Sequence, residues 1–204
     1  MLTRAKDGLL RSIKAYVPLK KKKILLITLV FIPALLILGL LGILAKDKLT
    51  PTNYFDIAAQ RQKEYNPKRK DLVIVVDYRK SILSERLYIL DMINKKVVLS
   101  SKVSHAWNSG VLYANDYSNT HGSEKTSKGN FITLGTYQGG YGYSMKIEGK
   151  DPGINNNAKD RLVVFHSDKK MKTWWSKGCF ATPEKINKKI IDMTKNGVLV
   201  CVID

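Results

Sequence analysis

The sequence LVIVVDY, residues 72–78, is a run of β-branched and aromatic side chains that predicts a strand. Two similar runs follow at Arg86–Leu90 and Lys96–Val103, and the polar turn residues Asp91–Asn94 between them predict a hairpin. Further strands are predicted at 131–136, 143–148, 162–166 and 198–203. Residues 70–204 therefore predict a mainly β domain, built as a sandwich or barrel.

One or two short helices are expected to accompany these strands. Thr52 or Asn53 is a suitable N-cap for a helix that Asn66-Pro67 ends. Thr182-Pro183 predicts the start of a second helix, with Thr182 as N-cap and proline at the first helical position. Gly197 is expected to supply the left-handed residue that follows this helix.

A long apolar run precedes the β domain. Residues 24–45, ILLITLVFIPALLILGLLGILA, carry no charge and span roughly 33 Å at about 1.5 Å per residue, close to the apolar thickness of a bilayer. Pro33 is tolerated in membrane helices. The alternatives are a signal peptide, whose apolar core is usually shorter, and a buried globular helix. We expect a retained transmembrane helix at 24–45.

The flanking charges predict the orientation of this helix. Residues 1–23 carry eight basic side chains, whereas only Lys46 and Lys48 follow the apolar run closely. The positive-inside rule then makes residues 1–23 a basic cytoplasmic tail. Within this tail, residues 2–17 either lie on the inner leaflet as an amphipathic helix or form a frayed end. Residues 46–69 are interpreted as a helical stalk or linker outside the membrane.

The charge of the exported part limits its partners. Residues 46–204 contain 27 basic and 16 acidic side chains, a net charge of +11. This suits an anionic environment such as a cell wall or phospholipid headgroups, and it is equally consistent with a lysine-rich solvated surface. An exported domain rarely meets nucleic acid, so no nucleic-acid partner is expected.

The two cysteines have different surroundings in the sequence. Cys201 lies in the apolar run VLVCVI and is expected to be a small buried side chain. Cys179 follows Ser176-Lys177-Gly178, where a nearby cation and free backbone N–H groups favour a reactive thiolate. His166, at the end of a predicted strand, is a plausible base for it. A disulfide between the two cysteines is an open alternative.

Other chemistries find little support in the sequence. The three histidines lack the spacing of a helical metal pair, and there is no Cys-x-x-Cys motif. A glycine-rich phosphate loop and a serine nucleophile elbow are absent too. We therefore predict neither a metal nor a cofactor, and the candidate chemistry centres on Cys179.

Three separated motifs resemble those of one enzyme family. Residues 161–183, RLVVFHS through WWSKGCFATP, are similar to the catalytic region of the bacterial L,D-transpeptidases, in which a strand-ending His precedes Ser/Thr-His-Gly-Cys. The segments SNTHGSEKTSKG at 118–129 and NNAKDR at 156–161 resemble two motifs of a divergent branch, the murein L,D-transpeptidase catalytic domains. The similarity covers about residues 70–185.

The resemblance implies a reaction on peptidoglycan stem peptides. Cys179 would attack the peptide bond before a terminal D-alanine and form a thioester, with His166 as base. The N–H groups of Gly178 and Cys179 would bind the oxyanion, supported by Ser176. An amine of a neighbouring stem would then resolve the thioester and complete a cross-link, whereas water would make the same site a carboxypeptidase.

This chain departs from the family pattern at two positions. Lys177 stands where the family has His, and Phe180 and Ala181 stand where an Arg often follows the Cys. Arg161 or Lys177 is then the candidate for binding the substrate carboxylate. Long loops in compact domains are usually functional, and the loop 104–130 offers Asn119 as a substrate contact or a turn former.

Several functional alternatives remain beside the main prediction. Trp175, with Trp174, is expected to wall the cleft or to pack as an ordinary aromatic side chain. The alternatives are a catalytically inactive wall-binding module and a different cysteine amidase or peptidase. The main prediction is a single-pass protein of the bacterial inner membrane with an extracytoplasmic catalytic domain.

Overall fold

The structure is a computed structural model that describes residues 19–168 and 175–204. One compact unit ends at Ile43, and the other comprises Leu44–Asp204. Most of the predicted cytoplasmic tail, including the segment 2–17, lies outside the described residues, as does Trp174.

The first helix, α1, comprises Leu19–Leu49 and contains Pro33. Its segment Ile27–Leu49 comprises 23 residues. Within the described part of the chain, it is the one helical segment that is long and apolar enough to cross a membrane. The apolar side chains of this segment are largely exposed, as a lipid-facing helix requires. It is a candidate membrane span, and a signal sequence would meet the same test.

The unit Leu44–Asp204 contains two further helices and ten strands among its described residues. In chain order they are α2 (Tyr54–Tyr65), β1 (Arg69–Asp77), β2 (Leu87–Asp91), β3 (Lys96–Ser101), β4 (His105–Ala106), β5 (Gly129–Gly139), β6 (Gly142–Gly149), β7 (Val164–Asp168), β8 (Trp175–Ser176), β9 (Phe180–Pro183), α3 (Glu184–Thr194) and β10 (Val198–Ile203). A short 3-10 turn, Trp107–Ser109, follows β4. The fold is mainly β, as predicted.

Eight strands form one barrel-like sheet in the order β3-β2-β1-β10-β5-β6-β7-β9. Two neighbouring pairs are parallel, β1 with β10 and β7 with β9, and the others are antiparallel. Strands β4 and β8 form a separate parallel pair. Because β7 and β9 are adjacent in the sheet, the chain around Cys179 runs beside the strand that carries His166.

Both faces of the central strands are covered, which explains their nearly continuous apolar sequence. In β1, Ile74 and Val76 belong to a core that includes α3, whereas Val73 and Val75 pack with Tyr54 and Ala58 of α2. Helix α2, interpreted from the sequence as part of a stalk, thus packs against the sheet. The hydroxyl of Tyr54 also donates to Asp77 Oδ2 at 2.8 Å.

The predicted strands and helices are present, with boundaries shifted by a few residues. The Asp91–Asn94 turn is confirmed, because Asp91 Oδ1 accepts the N–H groups of Ile93 and Asn94. Cys201 is buried in β10 and both cysteines are free, so the alternative of a Cys179–Cys201 disulfide is wrong.

Two local predictions around the site are also wrong. Thr182 lies in β9 and does not cap α3; its hydroxyl donates to Asn187 Oδ1 at 3.0 Å, and Pro183 precedes the helix. Leu162 was expected to begin a strand, but it has a φ of +57° in a turn, and β7 begins at Val164. Strand β9 was missed because its four residues resemble the start of the following helix.

Candidate active site

The register between β7 and β9 sets the relation between His166 and Cys179. His166 pairs with Ala181, two residues after Cys179, while Phe165 pairs with Phe180. The rings of Phe165 and Phe180 stack in the core with centroids 4.8 Å apart. Because side chains alternate along extended strands, His166 lies on the face of the sheet opposite to Phe165. Cys179 stands in the bend immediately before β9, beside the strand that carries His166.

The Cys179 thiol lies against the backbone that leads into β7. It donates a hydrogen bond to the carbonyl of Leu162, with 3.6 Å between sulfur and oxygen. Burial raises the pKa of the Cys179 thiol above its ordinary value of 9.0, opposed by the N–H of Val164 and the charge of Arg161. Burial therefore favours the protonated thiol, in contrast to the expectation that a nearby cation and backbone N–H groups favour the thiolate.

The imidazole of His166 is buried and held by its own strand. Its Nδ1 lies 2.9 Å from the carbonyl oxygen of Ser167, and burial lowers the pKa of His166 below 6.5. A neutral imidazole must use Nδ1–H to donate to a carbonyl, which leaves Nε2 as an acceptor. This is the protonation state that a general base requires.

Tyr141 covers the His166 ring, a contact that the sequence analysis missed. The two rings stack with centroids 4.3 Å apart and planes inclined by 25°. Tyr141 lies at the tip of the β5–β6 hairpin, and its carbonyl accepts a hydrogen bond from the Ser167 hydroxyl at 3.0 Å. The sequence does offer one indication of this contact, an aromatic residue between two glycines, Gly140 and Gly142, that mark a turn.

The loop before Cys179 is shaped by Ser176. Its hydroxyl donates to the carbonyl of Cys179 at 2.7 Å and accepts the N–H of Gly178 at 3.2 Å. Ser104 also donates to the Cys179 carbonyl, at 3.2 Å. The supporting role of Ser176 at an oxyanion stays a prediction, and the Gly178 N–H that was predicted to face an oxyanion is directed at the Ser176 hydroxyl.

Gly178 requires a backbone that other residues adopt only with strain. Its φ is +119°, and a Cβ at this position would lie 2.9 Å from the carbonyl oxygen of Lys125. The close approach brings the motif loop of residues 118–129 directly against the loop that carries Cys179.

Arg161 organises that motif loop. Its guanidinium donates to the carbonyl of Ser118, to Ser127 Oγ at 2.6 Å, to Ser123 Oγ at 3.2 Å and to the carbonyl of Lys125 at 2.7 Å. The charge of Arg161 also acts on the Cys179 sulfur. Arg161 is thus engaged with neutral acceptors of the protein, and its predicted contact with a substrate carboxylate stays a prediction.

Asn119 joins the same loop to the turn before β7. Its side-chain amide donates to Asn156 Oδ1 at 2.9 Å, and its Oδ1 accepts the N–H of Asn157 at 3.0 Å. The three motifs that carry the family resemblance are therefore in direct contact. Substrate binding by Asn119 stays a prediction, and its observed contacts are those of a turn former.

Lys177 is exposed and forms an ion pair across the two loops. Its Nζ lies 2.7 Å from Glu124 Oε1, and this hydrogen bond raises the pKa of Lys177. The expected influence of Lys177 on the thiol is therefore balanced by a carboxylate. Glu124 was not identified from the sequence, because nothing in a loop sequence indicates which lysine will face it.

Trp175 borders the site on the β4–β8 side. Its Nε1–H donates to the carbonyl of Val111 at 2.9 Å, and its ring meets that of Trp107 edge-on with centroids 4.6 Å apart. Trp107 is 57% exposed. A pair of partly exposed indoles beside the Cys179 loop suits the wall of a cleft, although a substrate contact by Trp175 stays a prediction.

The remaining acidic, histidine and cysteine side chains do not gather into a metal centre. Across residues 19–168 and 175–204, no group of three or more such side chains is placed to hold an ion. His105, for example, is buried with its ring nitrogens 2.7 Å from Arg86 Nη2 and 2.8 Å from the carbonyl of Gly110. Burial and the charge of Arg86 lower the pKa of His105 to about 4, so this ring stays neutral.

Comparisons with known proteins show similarity to the L,D-transpeptidases. A family model described as the L,D-transpeptidase catalytic domain matches residues 46–202. A search of curated proteins found no match.

Solved structures with similarity include an L,D-transpeptidase from Mycobacterium smegmatis, with 12% identity and a TM-score of 0.42 over 66% of this chain and 59% of that one. An L,D-transpeptidase from Stackebrandtia nassauensis has 14% identity and a TM-score of 0.40 over 78% and 73%. The helical cell shape determining protein Pgp2 from Campylobacter jejuni has 10% identity and a TM-score of 0.46 over 67% and 48%. The chain thus spans between about half and three quarters of the length of these proteins.

Proposed function

Because this chain belongs to the L,D-transpeptidase catalytic domain family, we propose that it is a cysteine L,D-transpeptidase that acts on peptidoglycan stem peptides. The observation that best supports the proposal is the β7–β9 pairing, which brings the bend that contains Cys179 alongside the strand that carries His166. Nucleophilic catalysis on this site requires the Cys179 thiol to reach the acceptor nitrogen Nε2 of a neutral His166.

In the proposed acylation step, the Cys179 sulfur attacks the carbonyl carbon of the bond before the terminal D-alanine. The thiol proton passes to Nε2 of His166, and the same proton then goes to the nitrogen of the leaving D-alanine as the C–N bond breaks. A thioester between Cys179 and the shortened stem remains. Because the resting thiol is protonated, proton transfer must accompany the attack.

In the proposed second step, an amine of a neighbouring stem attacks the thioester. Its proton passes to His166 and then to the departing sulfur, so that the free thiol returns and an amide cross-link is formed. With water in place of the amine, the product is a free carboxylate and the reaction is that of an L,D-carboxypeptidase. The nature of the acceptor distinguishes these two activities on one site.

The developing oxyanion needs preorganised donors. We assign this role to the N–H of Cys179 and, once Ser176 rotates away from it, to the N–H of Gly178. The contact between Gly178 N–H and Ser176 Oγ is 3.2 Å long, which is a weak hydrogen bond that a negative oxygen would readily replace. For the substrate carboxylate, Lys177 is a better candidate than Arg161, whose guanidinium is engaged by the motif loop.

The proposal includes an anchored location. Residues 24–45 would span the cytoplasmic membrane with the basic residues 1–23 inside and residues 46–204 outside. A reporter that is active only outside the cytoplasm, fused after Asp204, should be active. Protease added to spheroplasts should remove it. Protection of the C-terminus would contradict this orientation, and a soluble, shortened mature protein would identify a signal peptide.

The first test compares three variants of the full chain on purified muropeptides. Cys179→Ala and Cys179→Ser should abolish the cross-linked product seen by mass spectrometry, while Cys201→Ala, in the apolar strand β10, should retain it. Cross-linking that survives in the Cys179 variants would eliminate the nucleophile. Loss of activity in a folded Cys201→Ala protein would contradict the assignment of Cys179 as the nucleophile and Cys201 as a structural side chain.

One observation favours a second candidate, an inactive peptidoglycan-binding module. Burial raises the pKa of the Cys179 thiol, which donates to the carbonyl of Leu162, and Lys177 stands where the family has histidine. Such a module would sediment with murein while a carbapenem fails to label Cys179. Carbapenem labelling of Cys179 would exclude it.

A further inference from the structure

The ion pair between Lys177 and Glu124 joins the loop that carries Cys179 to the motif loop. The ammonium is 2.7 Å from Glu124 Oε1, and the two side chains are 79% and 47% exposed. Exposed pairs of this kind contribute little to stability, because water solvates both charges almost as well when they separate. The pair is therefore easily exchanged for another partner.

Glu124 is nevertheless presented by a firmly held backbone. It has a φ of +50°, in the left-handed region that non-glycine residues rarely adopt. The residues on either side are fixed by Arg161, which donates to Ser123 Oγ at 3.2 Å and to the carbonyl of Lys125 at 2.7 Å. Non-glycine residues in this conformation are enriched at sites that clamp ligands.

The two loops that this pair joins also meet at Gly178, the residue before the candidate nucleophile. Lys177 adjoins Gly178, and the carbonyl of Lys125, one residue from Glu124, packs against Gly178 at a distance that leaves no room for a Cβ. Arg161 bridges the two loops, since it holds Lys125 and its charge reaches the Cys179 sulfur. A ligand that approaches Cys179 over these loops meets the ammonium of Lys177.

We propose that Lys177 is a carboxylate-binding site, and that Glu124 occupies it in the free protein as a stand-in for the ligand's carboxylate. An ammonium offers three donors and no acceptor, so an anionic oxygen is its natural partner. When a ligand carboxylate arrives, it takes the place of Glu124 on Lys177. This inference rests on the proposed function for the identity of the natural ligand, the terminal carboxylate of the acyl-donor stem peptide.

The test uses two small thiol reagents that differ in one charge. Iodoacetate carries a carboxylate and iodoacetamide does not, and both alkylate a thiol by displacing iodide. Alkylation of Cys179 in the full chain is followed by peptide mass spectrometry, which separates it from the buried Cys201. The ratio of the two rates reports carboxylate binding near the thiol, while the iodoacetamide rate alone reports access to it.

Four proteins form a double-mutant cycle: the wild type, Glu124→Gln, Lys177→Met and the double variant. Glu124→Gln frees Lys177 and should raise the iodoacetate to iodoacetamide ratio about threefold, the size of effect expected for one unit charge that acts through water. Lys177→Met should lower it by a similar factor. In the Lys177→Met background, Glu124→Gln should produce no gain, because the site that it vacates is gone.

Two results would overturn the inference. The first is an equal rise of the ratio when Glu124→Gln is made in the wild type and in Lys177→Met. The rise would then come from the loss of a negative charge in general, and Lys177 would not be a carboxylate-binding site. An unchanged ratio in Glu124→Gln would overturn it as well. Glu64→Gln is the matched control, since Glu64 is 49% exposed and pairs with Arg61 on α2. It should leave the ratio unchanged.

This experiment fails separately from the proposed function, because alkylation needs no turnover. If the cycle is non-additive but muropeptides are never cross-linked, the carboxylate site stands and the transpeptidase proposal falls. If cross-linking occurs while the cycle is additive, the transpeptidase proposal stands and the site at Lys177 falls.

Discussion

Tyr141 lies over His166, with ring centroids 4.3 Å apart and ring planes inclined by 25°. Although 61% of Tyr141 is exposed, the imidazole beneath it is buried. The hairpin tip thus shields one face of the proposed base from water. Burial is the first cause of the lowered pKa of His166, so this contact bears directly on its protonation.

Replacing Tyr141 by Ala should therefore raise the pKa of His166 towards 6.5, because the imidazolium becomes better solvated. The acidic limb of the pH–rate profile should move to higher pH. We expect kcat to fall about tenfold or more, because the ring loses the surface that orients it. Tyr141→Phe is the control, since it keeps the stacked ring and should keep both the limb and kcat. An unchanged acidic limb in Tyr141→Ala would show that other neighbours bury His166.

The two members of the proposed dyad should be neutral at rest. Burial raises the pKa of the Cys179 thiol above 9.0 and lowers the pKa of His166 below 6.5. At pH values between 6.5 and 9.0 we therefore expect a protonated thiol and a neutral imidazole. The alkylation rate of Cys179 by iodoacetamide should accordingly keep rising as pH passes 9.0, as the thiolate fraction grows. Turnover should fall on the acidic side as His166 gains a proton.

The control for this pH dependence is the same cysteine in the unfolded chain. In concentrated urea the burial is lost, so the alkylation profile of Cys179 should shift to lower pH, towards that of an ordinary thiol. A folded-state plateau below neutral pH would indicate a thiolate–imidazolium pair and would contradict the neutral resting state.

The strands were predictable from the sequence because short runs of β-branched and aromatic residues favour buried strands. The run at 72–78 is apolar on both sides since α2 covers one face and the main core the other, and strand propensity agrees with that burial. Strand β9 was not predictable in the same way. Its four residues lead directly into α3, and only the pairing with β7 identifies them as a strand.

In the site, too, residue types were predictable from the local sequence, whereas contacts between distant segments were not. Cys179 and His166 are identifiable by residue type and by the family resemblance. The contacts of Glu124 and Tyr141 depend on segments more than 20 residues away, and no local pattern encodes such pairings. Arg161 was interpreted as a ligand for a substrate, whereas its acceptors are backbone and hydroxyl oxygens of a loop that folds back over it.

Gly178 should not tolerate a side chain. Gly178→Ala combines a φ of +119° with a Cβ that lies 2.9 Å from the carbonyl oxygen of Lys125, so we expect a loss of about 2–3 kcal/mol in the free energy of unfolding. The displaced loop should also reduce cross-linking strongly. Thermal unfolding followed by tryptophan fluorescence measures the first effect, and the muropeptide assay the second.

Gly122→Ala separates the two causes. Gly122 also has a positive φ, +72°, but no atom lies within 4 Å of its would-be Cβ. Gly122→Ala should lower the free energy of unfolding by only about 1 kcal/mol. Equal losses at the two glycines would show that backbone conformation alone, and no collision with Lys125, constrains position 178.

Arg161 should act through the loop that it holds, and the substitution that tests this keeps its charge. Arg161→Lys retains a cation near Cys179 but loses the planar group that reaches four acceptors in residues 118–127. Because those oxygens are partly buried and lose their donor, we expect a loss of about 2–4 kcal/mol in unfolding free energy. Amide hydrogen exchange should quicken selectively in residues 118–127.

Arg61→Lys is the matched control for this substitution. Arg61 is exposed on α2 and donates to one carboxylate, that of Glu64, so the same chemical change should alter stability by no more than about 0.5 kcal/mol. If Arg161→Lys leaves exchange in the motif loop unchanged while cross-linking falls, then Arg161 contacts the substrate itself. In that case the hydrogen bonds to Ser118, Ser123 and Ser127 would be incidental to its role.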